Sequence, residues 1–437
     1  MRRINAGIIG FGTVGTGVVK LLTESRELIS SRIGADLCLK YVADLDIKKD
    51  RGVTLDQGVL ITDAEKVVSD PEIDIVVELI GGETIAKKLM LKAIENGKHV
   101  VTANKALLAS SGSEIFAAAR KYNVDLGFEA SVAGCIPIIK SIKESLAANR
   151  IHSVSGILNG TCNYILSKIT SEGTSFAVAL KNAQENGYAE ADPTLDIEGF
   201  DAAHKLAIIT ALAYGMTINL DDIYVEGISG IALEDIRYAE QLGYRVKLLA
   251  ISKHVGEGIE ARVHPTMIPF DNLFASVNDS VNAINVKGDA VGDMFFVGRG
   301  AGMMPTASAV VSDMIDISRN ILSCTSQRVP LLSYRDENIK TIPVVPMDEI
   351  WSRYYFRFTV VDRPGVLSTI SGILGNSGIS IKSVQQTEEK KEGPVPIVMV
   401  SGPAREADVK KAIANINTLS ITDGNAIVIR IGEDVSH

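Results

Sequence analysis

From Ile4 to Phe128 short apolar runs alternate with amphipathic stretches. The pattern predicts strands at Ile4 to Ile9, Leu37 to Ala43, Val59 to Thr62, Ile73 to Ile80, His99 to Thr102 and Val124 to Phe128. Helices are expected after Thr13 and around Ile85 to Glu95 and Glu114 to Tyr122. Such alternation predicts an α/β domain with a parallel, doubly wound sheet. After Glu129 helical patterns at Pro137 to Ala148, Phe176 to Glu185 and Phe200 to Tyr214 mix with β-like runs at Arg245 to Ser252 and Met294 to Val297, the texture of an α+β domain. The helical stretch Thr306 to Asn320 follows a glycine-rich turn and, on length alone, returns to the first domain.

Between Ser323 and Trp351 the periodicity fades and prolines stand at 330, 343 and 346, the composition of a linker. Beyond it the order is strand (Tyr355 to Val361), helix (Val366 to Leu374), strand (Ser383 to Thr387), strand (Pro396 to Ser401), helix (Ala407 to Ile416) and strand (Ser420 to Ile431), a ferredoxin-like βαββαβ unit. The expected division is residues 1–134 with 305–322 returning, 135–304, a linker at 323–353, and 354–437.

Charge and composition narrow the field. The 44 Lys+Arg against 53 Asp+Glu leave −9, which argues against nucleic acid as a partner. No apolar stretch approaches a membrane span, and the opening MRRINAGIIGFG resembles a first strand rather than a signal peptide. Cys38, Cys135, Cys162 and Cys324 lie far apart without a CxxC pair, so neither a disulfide framework nor a zinc site is expected, and the cytoplasm is the expected compartment.

Gly10-Phe11-Gly12-Thr13-Val14-Gly15 directly follows a predicted strand and opens a predicted helix. In a Rossmann domain the first glycine permits the turn, the second lets backbone approach a pyrophosphate, and the third allows close helix packing. A dinucleotide, NAD or NADP, is therefore expected. The choice falls at the end of the second strand, where Asp44 and Asp46 suit a ribose hydroxyl and Lys48 and Lys49 suit a phosphate. Those signals conflict. Asp44 lies 29 positions past Gly15 (44 − 15), which calls for a long first helix.

The run Ala183 to Lys205 concentrates Glu185, Glu190, Asp192, Asp196, Glu198 and Asp201 ahead of a helix bearing Lys205. Asp201 and Lys205 are four apart and share a helix face. In a cleft the carboxylate would set the charge and position of the amine; on a surface the pair is an ordinary salt bridge.

The whole run, A-x3-G-Y-x-E-x-D-P-x2-D-I-x-G-x-D-x3-K, resembles the signature of homoserine dehydrogenases with every fixed position filled. GFGTVGTGV, ELIGG at Glu78 to Gly82, VTANKALLA at Val101 to Ala109, EASVAGCIPII at Glu129 to Ile139 and LNGTCNYIL at Leu158 to Leu166 agree with it. The resemblance implies reversible hydride transfer between L-homoserine and L-aspartate 4-semialdehyde, in the pathway to threonine, methionine and isoleucine. Oxidising a primary alcohol needs a base at the hydroxyl, and the reverse needs an acid at the same oxygen; a lysine with a depressed pKa serves both.

By the same resemblance Lys205 is the proton donor, Asp201 the carboxylate that orients it, Glu190 the residue that holds the substrate's α-amino group, and Asp196 a further substrate-binding residue. Lys105 stands between cofactor and substrate, and Thr102 and Asn104 lie on the nicotinamide side. Gly187 and Gly302 are backbone positions near the cofactor. A sodium ion is implied on backbone carbonyls of Glu129, Val132, Gly134 and Ile136, in a stretch where Cys135 departs from the glycine of many relatives.

Asp362 to Leu367 (DRPGVL), followed by Gly378-Ile379-Ser380-Ile381, resembles the ACT regulatory domain. It implies pairing into a homodimer or homotetramer and, with the pathway, feedback inhibition by L-threonine. The middle domain is expected to bind substrate and to dimerise. Two rivals remain: another Rossmann amino-acid oxidoreductase, separable by a substrate panel, and a non-catalytic amino-acid sensor, which would lack Glu190, Asp201 or Lys205. With no kinase-like segment ahead of Met1, a fused aspartokinase is not expected.

Overall fold

The computed structural model describes residues 2–386 and 393–432, and the chain divides into two compact units. The first comprises Met1–Gly160, Ala203–Asp221 and Val281–Ile342; the second comprises Thr161–Ala202, Asp222–Ser280 and Pro343–His437.

In the first unit β1 (Arg3–Ile9), β2 (Asp36–Ala43), β3 (Leu60–Ile61), β4 (Ile75–Glu78), β5 (His99–Thr102) and β6 (Leu126–Gly127) form one sheet. Their order is β3-β2-β1-β4-β5-β6 and every pairing is parallel. The chain switches direction across the sheet between β1 and β4, and the carboxyl ends flanking such a switch form the ligand crevice of doubly wound folds. Burial explains the continuous apolar strands. Ile4, Ile8, Ile75 and Val77 pack with Val18 and Val19 of α1 (Thr13–Glu24) and with Ala307, Val310 and Met314 of the helix Met303–Leu322. Gly17 allows that approach, since a Cβ there would stand 2.8 Å from the Met303 carbonyl and 2.9 Å from the Ala307 Cβ.

Several elements differ from expectation. The stretch between Gly15 and Asp44 holds not one long helix but α1 and α2 (Arg26–Ile33), joined at Ser25 and stopped by left-handed Gly34. Between β3 and β4 lies α3 (Ala64–Ser69), capped by Asp63, and α4 (Thr84–Glu95) joins β4 to β5. The next helix, α5 (Lys105–Lys121), begins well before Glu114 because Asn104 caps it, accepting from the Leu107 N–H at 3.1 Å. Its interior Gly112 does not break it; the Phe116 ring packs against that position. The expected helix at 137–148 is a short α turn, Ile138–Lys140, widening into the π turn Ser141–Ser145.

The first unit also holds an antiparallel trio, Ile151–Ile157, Val281–Gly288 and Gly292–Arg299. Residues 323–342 carry no long element, yet Leu331 and Leu332 are buried and Lys340 bridges Met216.

In the second unit Tyr244–Val255 and Gly258–Pro269 pair along their whole length. Ile427–Ile431 runs parallel to the latter, followed in the sheet by Trp351–Val361, Pro394–Ser401 and Ile381–Gln385. These last four strands, with helices Val366–Asn376 and Glu406–Asn417, make the ferredoxin-like unit, whose core holds Tyr354, Phe356, Phe358, Ile370, Ile397 and Met399. The strand expected at Ser383 to Thr387 is Ile381–Gln385, and Thr387 lies outside the described residues. Gly365 and Gly378 both adopt positive φ, 92° and 75°, at the two ends of the first of these helices. Among the described residues no helix is long and apolar enough to cross a membrane.

Candidate active site

The glycine turn sits at the switch point. Gly10 has φ +104° and a Cβ there would stand 2.7 Å from the Leu79 backbone, so only glycine closes this turn without strain. At Gly15 a Cβ would collide with the Gly10 carbonyl. Gly12 is different: a Cβ would meet nothing within 4 Å, so the space beside it is open. Gly12 is also the N-cap of α1 and offers no side-chain acceptor, which leaves the first-turn N–H groups at Thr13 and Val14 to an external anion. Open space, bare N–H groups and a helix dipole suit a pyrophosphate, and the residues fit a dinucleotide.

The ends of β4 and β5 are knitted beside it. The Thr102 hydroxyl donates to Glu78 Oε2 at 2.7 Å, and Glu78 Oε1 accepts from the N–H groups of Ile80 (2.9 Å) and Gly81 (3.3 Å). Asn104 donates its backbone N–H to Thr102 Oγ1 at 3.0 Å and its amide to the Gly82 carbonyl at 2.6 Å. Glu78 is fully buried, and burial pushes its carboxyl up. This network fixes the point where α5 starts, and Lys105 is its first residue.

Lys205 lies on the helix Phe200–Tyr214 and is 9% exposed. Its Nζ donates to the Leu158 carbonyl at 2.7 Å, and Asn282 Nδ2 donates to the same oxygen at 3.0 Å. The amine is thus held by backbone at the end of a strand instead of pointing into water. Gly302, with φ +125°, caps the helix Met303–Leu322.

The stretch from Glu129 to Ile136 is pinned from both sides. Glu129 donates its N–H to Asp313 Oδ2 at 2.8 Å, and its carboxylate accepts from the N–H groups of Ile139 and Lys140, each at 2.8 Å. Burial, then the nearby Asp313 carboxylate, push the Glu129 carboxyl up to about 7. Ala133 and Gly134 both have positive φ, and a Cβ on Gly134 would stand 2.6 Å from the Gly300 carbonyl group. Cys135 is exposed, and its N–H donates to the Arg299 carbonyl at 3.2 Å. Backbone carbonyls at Glu129, Val132, Gly134 and Ile136 are hard oxygen donors, the type a hard cation takes. Among the described residues no group of three or more His, Cys, Asp or Glu is placed to hold a metal ion.

The second unit carries the remaining expected residues. Glu190 is exposed, and its carbonyl accepts from Gln184 Nε2 at 3.1 Å. The Asp196 carbonyl accepts from the Cys162 thiol at 3.1 Å, and its carboxylate lies 3.3 Å from the Thr161 hydroxyl. Gly187, with φ +74°, forms the turn after Phe176–Glu185. Asp201 is buried one turn ahead of Lys205 along their common helix.

Sequence reasoning missed the buried partners. Glu78 was legible as a carboxylate stranded in the apolar run IVVELI, whereas nothing in the chain marks Asn282 or the Leu158 carbonyl.

A glycine turn of this construction at the switch point of a parallel sheet is the dinucleotide-binding turn of Rossmann proteins, and the chain falls in the class of NAD(P)-dependent oxidoreductases. Residues 10–129 match the family model for the homoserine dehydrogenase NAD binding domain, 137–315 that for homoserine dehydrogenase, and 354–418 the ACT domain. The chain is 46% identical over 431 residues to a homoserine dehydrogenase of Neisseria gonorrhoeae, with 99% of each covered. It is likewise 46% identical over 434 residues to that of Pseudomonas aeruginosa, again with 99% of each covered. The crystal structure of a homoserine dehydrogenase from Thiobacillus denitrificans superposes with a TM-score of 0.94 at 47% identity, covering 100% of this chain and 99% of that one. The chain belongs to the homoserine dehydrogenase family.

Proposed function

We propose that the protein interconverts L-homoserine and L-aspartate 4-semialdehyde, with Lys205 as the group that takes and returns the hydroxyl proton. The observation that carries this is the buried amine at 2.7 Å from the Leu158 carbonyl, one helical turn after a buried aspartate. When bound, the dinucleotide supplies the hydride acceptor or donor, as either NAD or NADP. Residues Gly10 to Gly15 cradle its phosphates, and Thr102, Asn104, Lys105, Gly187 and Gly302 line its reactive end. Asp201, one turn ahead on the same helix, orients the Lys205 amine. Glu190 receives the substrate's α-amino group, a charge-assisted contact, with Asp196 beside it in the chain, and Lys105 holds the substrate between cofactor and base. The backbone carbonyls of Glu129, Val132, Gly134 and Ile136 would hold a sodium ion, whose charge would tie these oxygens of the loop after β6 together.

Residues 1–134, with 305–322, form the dinucleotide-binding domain, 135–304 the substrate and dimerisation domain, 323–353 the linker and 354–437 the ACT domain. The protein works in the cytoplasm as a homodimer or homotetramer, and the ACT domain takes L-threonine as a feedback inhibitor of the pathway to threonine, methionine and isoleucine.

The mechanism is tested with Lys205→Ala. Turnover should fall by about 10²–10⁴, the contribution of a general acid–base group, while dinucleotide affinity holds. Near-normal turnover refutes the role. For regulation, homoserine oxidation is assayed with millimolar L-threonine; unchanged activity together with no heat of binding removes threonine as the effector.

A further inference from the structure

Two side-chain donors converge on one backbone oxygen beside the proposed base. Leu158 is the first residue past the strand Ile151–Ile157, whose antiparallel ladder with Val281–Gly288 ends at the pair Ile157 and Ala283. Asn282 therefore stands one step further on, opposite Leu158. There side chains take over from the ladder: the Leu158 carbonyl accepts from Lys205 Nζ at 2.7 Å and from Asn282 Nδ2 at 3.0 Å. A carbonyl oxygen has two lone pairs, and these donors fill both. With one direction taken by the amide, the amine keeps a single direction of approach.

The other half of the Asn282 amide is idle. Asn282 is 1% exposed, and its Oδ1 finds no donor among the described residues. An acceptor buried without a donor costs the fold its full desolvation, a cost that leucine, of nearly the same shape, would not incur. Packing alone therefore does not account for asparagine here. The amide is also held in its plane from one side. A Cβ on Gly300 would stand 2.1 Å from Cγ, 2.2 Å from Nδ2 and 2.3 Å from Oδ1 of Asn282, so the face of the amide rests on bare glycine backbone. Gly300 is not in a left-handed conformation, and what its position requires is the missing side chain.

We infer that Asn282 is a positioning residue for the reaction, an inference that rests on the reading of Lys205 as the base. It occupies one lone pair of the Leu158 carbonyl and so confines the Lys205 amine to the other, while Gly300 keeps the amide flat in that task. An amine free to swing between two lone pairs leaves the reacting geometry, and a misplacement of about 1 Å is enough to slow a reaction about 100-fold.

Homoserine oxidation by the full-length protein is the assay, with urea unfolding and dinucleotide calorimetry on each variant. Asn282→Leu removes the donor and the idle acceptor together at nearly constant volume. Its kcat should fall by about 10–100-fold while KM for homoserine and dinucleotide affinity stay within about threefold, and its urea midpoint should hold or rise. In a Lys205→Ala background the same change should cost nothing further, because the amide acts through the amine. Gly300→Ala should reproduce the loss by pushing the amide off the carbonyl, and should add nothing in an Asn282→Ala background, where the space is free. That pair carries the test if Asn282→Leu does not fold. A kcat within about threefold of the wild type in Asn282→Leu, a loss that follows a falling urea midpoint, or full additivity with Lys205→Ala overturns the assignment. Near-normal turnover in Lys205→Ala itself sinks the underlying reading and this one with it, whereas a strong loss there beside an indifferent Asn282→Leu sinks this one alone.

Discussion

The Thr102 hydroxyl donates to the Glu78 carboxylate across 2.7 Å and so ties the carboxyl ends of β4 and β5 together beneath the first turn of α5. Both residues are fully buried, and the Asn104 N–H uses the same hydroxyl as its acceptor. Thr102→Val removes a donor from a buried carboxylate and an acceptor from a buried N–H while keeping the shape. Stability in urea should drop by about 1–3 kcal/mol, and KM should rise because α5 and Lys105 lose their fixed origin. An unchanged midpoint and KM would contradict the role of this pair.

Two glycines of one turn should respond oppositely to substitution. Gly12→Val places its side chain in open space, so the melting temperature should hold while dinucleotide binding is lost. Gly10→Ala forces a Cβ to 2.7 Å from the Leu79 backbone at φ +104°, and should instead destabilise the protein by about 1–3 kcal/mol. Calorimetry and thermal melts on the two variants separate the outcomes; a reversed pattern would mean that the pyrophosphate does not approach Gly12.

Lys247 is 1% exposed, with its ammonium donating to Asn163 Oδ1 (3.0 Å), the Val277 carbonyl (2.5 Å) and Asn278 Oδ1 (3.3 Å). Burial, then repulsion from Arg245, pull its pKa down to about 7 from a usual 10.5. Between those values the unfolded chain binds a proton that the folded chain does not, so stability rises with pH across this window and is lost as pH falls through about 7. At about 1.4 kcal/mol per pH unit the slope integrates to roughly 5 kcal/mol. Lys247→Met should abolish it, and parallel pH profiles of unfolding free energy for the two proteins would disprove the assignment.

Asp235 is completely buried at the start of the helix Leu233–Gln241 and accepts from Arg357 Nε at 2.6 Å, Arg357 Nη2 at 3.0 Å and the Tyr355 hydroxyl at 3.1 Å. Burial, then the Asp235 charge, push the tyrosine hydroxyl far up. Asp235→Ala leaves a guanidinium 11% exposed without this counter-charge and should cost about 3–5 kcal/mol by urea unfolding. Replacing both partners, as in Asp235→Leu/Arg357→Met, should recover much of that loss; equal costs for single and double variants would show the pair is not the cause.

Legibility in the sequence followed the range of the interaction that decides each feature. Strands such as His99–Thr102 and helices such as Phe176–Glu185 and Phe200–Tyr214 fall where the hydrophobic period put them, because burial selects a local period. The start of α5 did not, since its Ser-Ser-Gly-Ser run reads as a turn until the Asn104 cap and the Phe116 ring outweigh it. The strand Ile151–Ile157 went unseen for a similar reason: its partner Val281–Gly288 lies far along the chain. Lys205 was visible as one fixed position in a long signature, yet the carbonyl that holds its amine belongs to residue 158 and bears no side-chain mark.

The chain's order of residues was enough to set the glycine turn after a first strand, the βαββαβ succession near the end and the carboxylate-rich approach to Lys205, since each depends on neighbours within a few tens of positions. Tertiary structure alone decided that Glu78, Thr102 and Asn104 meet, that Arg51 packs over the Phe11 ring, and that Lys205 is buried. Hydrogen bonds and desolvation act through space, and a linear string does not record which distant backbone atom will stand within 3 Å of a given amine.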